Sequence, residues 1–121
     1  MAIKPNLNGI GRIVKAAKYS WEGLKSSWLT EAAVRQEVLA LVVLVPLACW
    51  LQVSTAERAL LLLSLFLVLV VELLNTAIET TINRIGPEHH ALSKKAKDTG
   101  SAAVLIAILA ALVVWLVVLV F

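Results

Sequence analysis

Apolar and polar residues alternate in blocks along the chain, and the spacing within each block predicts its element. From Ile10 to Trp28 the apolar positions Ile10, Ile13, Val14, Ala17, Trp21, Leu24 and Trp28 recur at helical spacing. Arg12, Lys15, Lys18, Glu22, Lys25 and Ser26 take the other side. A stripe with two Trp opposite a basic face predicts an amphipathic helix over about 8–29, lying in the membrane interface.

Three longer apolar runs follow. They predict transmembrane helices over about 34–53, 59–83 and 100–121, each near the roughly 20 residues that cross a bilayer. Pro46 falls inside the first run and should kink it or weaken one turn. The expected fold is an all-α membrane protein, an interfacial helix plus three spans in a single domain over 1–121.

Composition agrees with the pattern. Of 121 residues, 60% are hydrophobic and 16% charged, against roughly 25% charged in a soluble domain. Mean hydropathy is +0.90. A net charge of +3 on such a chain points to anionic lipid, and no nucleic-acid partner is expected. The single cysteine, Cys49, excludes an intrachain disulfide. No removable signal peptide is expected, because the first long apolar run begins near Val38, behind the amphipathic stretch.

Basic residues set an expected orientation. Lys4, Arg12, Lys15, Lys18, Lys25 and Arg35 precede or open the first span, and Arg84, Lys94, Lys95 and Lys97 lie between the second and third. The short segment between the first two spans contributes Arg58. This asymmetry places the N-terminus and the second loop in the cytoplasm.

The chemical anomaly is in the second span. Glu72, Asn75, Glu79 and Asn83 follow one another at +3, +7 and +11 and form a single polar stripe, bordered by Thr76 and Thr80. A hydrogen-bonding seam between helices would explain Asn75 and the threonines. Two glutamates are a costly seam, since a carboxylate within a bilayer costs at least ~2.5 kcal/mol, and such groups mark functional sites. Glu31 and Glu37, with Arg35 between them, flank the start of the first span at the depth expected for Glu79. Glu31 and Glu79 together could hold Mg²⁺, which takes one or two carboxylates plus substrate phosphates. His89 and His90 are adjacent, with no CxxC or HxxxH pattern nearby, so zinc is not expected. The chain also lacks GxxxxGK[ST], so any nucleotide site must be assembled from separate side chains and helix ends.

Three segments then act together: Glu31-Ala-Ala-Val-Arg-Gln-Glu37, Glu72-Leu-Leu-Asn-Thr-Ala-Ile-Glu79 and Ala96-Lys-Asp-Thr-Gly-Ser-Ala-Ala103. In this order and context the chain closely resembles the prokaryotic integral-membrane diacylglycerol kinase family, from Arg12 to the third span. The resemblance implies a homotrimer of the bacterial cytoplasmic (inner) membrane, with a cytoplasmic active site. It implies phosphorylation of diacylglycerol by MgATP to phosphatidic acid, or of undecaprenol in some members. It assigns Glu72 as the catalytic carboxylate and Glu31 and Glu79 as magnesium and nucleotide ligands. It places Arg12, Tyr19, Glu88, His90, Lys97 and Asp98 on ATP. Trp21, Trp28, Arg35, Glu37, Trp50 and Ser101 match positions near the lipid or supporting the site, and Asn75 joins them from its place on the stripe. Asn83 stands where an aspartate is common in the family, and His89 where a tyrosine is common.

Two other classes compete. A small proton-coupled exporter would use an intramembrane glutamate, but at the midplane and without acidic residues collected at one interface. A non-catalytic scaffold would explain the helices and leave the Glu72–Glu79 stripe without a purpose.

Overall fold

The computed structural model describes residues 8–86 and 90–121. Glu88 and His89 lie outside the described residues. Four helices follow in order: α1 (Gly9–Thr30), α2 (Ala32–Trp50), α3 (Thr55–Ile85) and α4 (Ala91–Val120). They divide into two compact units, residues 1–31 and 32–121.

In the first unit, α1 buries none of its residues. Ile10, Ile13, Val14 and Trp21 are all exposed. The helix closes at Glu31, whose extended backbone directs its N–H to the Ser27 carbonyl at 2.8 Å.

The second unit contains the three apolar helices, each long enough to cross a membrane. Here α3 is central and packs against both α2 and α4. Its neighbours run antiparallel to it. Trp115 donates to Ser64, near the start of α3, at 3.2 Å, and Lys97 donates to Asn83, near its end, at 2.9 Å. On the other side Arg58, in the first turn of α3, reaches back to the last turn of α2.

The core is narrow. Val34 and Ala48 of α2, Leu61, Leu65 and Val68 of α3 and Ala107 of α4 are its buried apolar residues. Large apolar side chains such as Val42, Leu63, Leu74, Ile106 and Leu112 face outward. In water this surface would cost about 25 cal/mol per Å², so the unit requires an apolar surrounding.

Local chemistry explains the helix ends. α3 starts at Thr55 rather than near residue 59 because Ser54 and Glu57 form a capping box. The Ser54 hydroxyl accepts from the Glu57 N–H at 3.1 Å and the Glu57 carboxylate from the Ser54 N–H at 3.0 Å. Arg58 donates to the carbonyls of Ala48 (2.9 Å) and Cys49, two of the groups left without a helical partner at the end of α2. At the other end of α3, Gly86 has φ 157°, a conformation that side chains disfavour, and it stops the helix. α4 starts at Ala91, well before the apolar run from residue 100, because His90 caps it: its Nδ1 accepts from the Leu92 N–H at 3.0 Å. α2 continues through Pro46 without ending there.

Candidate active site

The antiparallel order brings the N-terminal end of α2, the C-terminal end of α3 and the N-terminal end of α4 to the same end of the unit. Most polar residues of these helices collect there.

On α3 the polar stripe extends the buried face. Taking Leu61 as reference, Leu65, Val68, Glu72, Asn75, Glu79 and Asn83 all fall within about 40° of it at ~100° per residue. Leu61, Leu65 and Val68 are buried, Asn75 is 9% exposed, and Glu72 and Glu79 are half-buried. The acidic groups therefore face the helix interior and not the outer apolar surface.

Asn75 is the hub of the stripe. Its Nδ2 donates to Oε1 of Glu79, one turn on, at 3.3 Å. Its Oδ1 is buried and finds no donor among the described residues. A buried acceptor without a partner costs about 1–3 kcal/mol, so the amide is held against a penalty. A carboxylate next to Nδ2 explains the orientation, because the reversed amide would set two acceptors against each other. Glu72 lies one turn deeper than Asn75, and α2 brings Glu37 close enough for its charge to act on that of Glu72.

The α4 residues approach from the other side. Lys97 is half-buried and donates to Asn83 Oδ1 at 2.9 Å, which ties the two helix ends together through a neutral partner. Asp98 is exposed and paired with Lys94 at 2.6 Å. Lys94, Lys95, Asp98 and Thr99 line an open groove of about 500 Å³ along α4. The His90 Nδ1 is occupied by the Leu92 N–H, which places the ring proton on Nε2 and leaves that atom a donor. Ser101 is exposed on α4.

Other residues singled out from the sequence lie elsewhere. Arg35 and Glu37 are half-buried in the first turns of α2. Trp50 is 79% exposed at the opposite end of α2, some 20 Å along the helix from Glu37 at ~1.5 Å per residue. Arg12, Tyr19, Trp21 and Trp28 are exposed on α1, where Arg12 joins Gly9, Ile13 and Ala16 around a shallow depression of about 380 Å³. Glu31 is half-buried at the end of α1. Among the described residues no three His, Cys, Asp or Glu side chains converge as a metal cage.

Sequence reading passes over three residues that the structure brings forward. Lys94 engages Asp98, an i,i+4 pair visible in the sequence. Arg58, read as a topological charge, binds the end of α2. Gly100 packs against Asn75, and no local pattern announces it.

A family model described as prokaryotic diacylglycerol kinase matches residues 18–119. The chain belongs to the prokaryotic diacylglycerol kinase family. It is 54% identical over 114 residues to a diacylglycerol kinase of Escherichia coli (strain K12), covering 94% of this chain and 93% of the relative. It is 50% identical over 107 residues to that of Pseudomonas aeruginosa, covering 88% and 87%. For the Haemophilus influenzae diacylglycerol kinase the figures are 43% over 107 residues, 88% and 91%. The resemblance carried by the Glu31–Glu37, Glu72–Glu79 and Ala96–Ala103 segments is thus borne out across nearly the whole chain. Membership makes the protein a nucleotide-dependent phosphotransferase, and its three apolar helices make it a membrane protein.

Proposed function

We propose that this member of the diacylglycerol kinase family transfers the γ-phosphate of MgATP to the free hydroxyl of diacylglycerol, forming phosphatidic acid. The observation that carries the reading is the Glu72–Asn75–Glu79 stripe, buried at Asn75 and half-buried at the two glutamates, turned toward the neighbouring helices at the end where Lys97 and His90 lie.

Phosphoryl transfer demands positioning and charge neutralisation more than covalent chemistry. Glu72 is the proposed base, accepting the lipid hydroxyl proton as that oxygen attacks the γ-phosphorus. It lies about 10 Å deeper along α3 than Glu79, at ~1.5 Å per residue, which suits a hydroxyl sitting just below the phosphates. Lys97 and Arg12 offset phosphate charge, and Tyr19, Glu88, His90 and Asp98 complete the nucleotide contacts. Trp21, Trp28, Arg35, Glu37, Trp50 and Ser101 are proposed to lie near the lipid or to support the site.

Glu79 and Glu31 are the proposed magnesium ligands. The donor chemistry fits, because Asn75 engages one oxygen of the Glu79 carboxylate and leaves the other as a hard anionic donor. When bound, magnesium neutralises charge on the phosphate oxygens.

A homotrimer is part of the proposal. One observation supports partner chains: the narrow core leaves broad apolar faces on the three helices. The positive-inside asymmetry supports a cytoplasmic active site in the bacterial inner membrane, with α1 as an amphipathic helix at its surface. The deciding assay offers the purified protein MgATP in mixed micelles containing either diacylglycerol or undecaprenol. Phosphatidic acid as the preferred product is expected. Preferential phosphorylation of undecaprenol would reassign the lipid.

A further inference from the structure

We propose that Gly100 is a positioning residue of the phosphotransfer site, acting through Asn75 on Glu79. The inference rests on the proposed role of Glu79.

Gly100 is buried where α4 packs against α3. A Cβ added there would collide with Oδ1 of Asn75 and stand 3.3 Å from its Cγ. The missing side chain of Gly100 therefore forms the slot that the Asn75 amide fills. The same Oδ1 is the buried acceptor without a donor among the described residues. With the oxygen seated in the slot, Nδ2 is directed along α3 to Glu79 Oε1 at 3.3 Å.

Each element of this relay restricts the next. The slot admits a planar amide and excludes the position a methyl group would take. The amide cannot reverse while Glu79 is ionised, since its oxygen would then face a carboxylate oxygen. Glu79 thus has one oxygen held by a group of its own helix that is seated against α4, and its rotamer follows the α3–α4 contact. Gly100 lies in the Lys97-Asp-Thr-Gly-Ser101 segment, so the helix that supplies Lys97 also sets the carboxylate across from it.

The test is a double-mutant cycle on the full-length protein with Gly100→Ala, Asn75→Ala and the two combined, in mixed micelles. Gly100→Ala should raise the free Mg²⁺ needed for half-maximal activity about fivefold and lower kcat about tenfold or more, with KM for diacylglycerol within about twofold. It should also lower the thermal unfolding midpoint by roughly 5 °C in the parent, and by little in the Asn75→Ala background, where the slot is no longer filled. The midpoint cycle remains readable even if Asn75→Ala is inactive. An equal loss of midpoint in both backgrounds overturns the slot. Coupled midpoints with an unchanged magnesium response and kcat overturn the positioning role and leave simple packing. A parent protein unable to phosphorylate diacylglycerol removes the diacylglycerol reading and the positioning role with it, while the coupled midpoints still report the slot.

Discussion

Asn75 donates to Glu79 Oε1 at 3.3 Å, one turn apart on α3, and this bond joins the packed interior of the helix to its acidic end. Below Glu72 the same face is apolar and buried at Leu61, Leu65 and Val68; at Glu72 and Glu79 it is half-buried and acidic. A carboxylate so placed is shielded enough for its charge to matter and open enough to meet a substrate.

Glu72→Gln should abolish turnover, by roughly 10²–10⁴-fold if it is the general base, while helical content and oligomeric state stay unchanged. Turnover and circular dichroism on the same preparation check both halves. Near-normal activity would remove the base assignment.

Glu79→Gln keeps a hydrogen-bond acceptor for Asn75 and loses the negative charge. The concentration of magnesium needed for half-maximal activity should rise several-fold or more, in keeping with loss of a carboxylate ligand. An unchanged magnesium titration would exclude Glu79 as a ligand.

Asn83→Asp should turn the Lys97 contact into an ion pair. The lysine charge would then be partly neutralised, and KM for MgATP should rise a few-fold, with the change shrinking at high salt. Steady-state kinetics at two ionic strengths decide this, and an unaltered KM would mean that Lys97 does not act on the nucleotide.

Arg58→Ala separates structure from chemistry. Removing the guanidinium leaves the Ala48 and Cys49 carbonyls at the end of α2 without this donor, at a cost of about 1.5–3 kcal/mol for bonds to a charged group. Thermal inactivation should come earlier, while kcat per folded molecule is unchanged. A large fall in kcat would mean that the α2–α3 turn communicates with the site.

The helices and the stripe are legible in the sequence because both depend on residues near one another in the chain. Apolar runs of bilayer length and the spacing of Glu72, Asn75, Glu79 and Asn83 need no knowledge of neighbours. The Ser54–Glu57 capping box is equally local, although hydropathy alone starts the helix later, near residue 59. The start of α4 at Ala91 is harder to read, because the His90 cap and the charged turns Lys94–Asp98 carry no apolar signal.

What the chain order by itself determined is therefore the set of helices, the acidic stripe along one of them and the family to which the motifs belong. Packing alone decided where that stripe turns, that Lys97 meets Asn83, that Arg58 binds the end of α2 and that Gly100 receives Asn75. Periodicity places residues on a helix face but leaves open which neighbour covers that face. The partners sit on different helices and are chosen by how backbones and side chains fit at close range, a relation that sequence spacing does not encode.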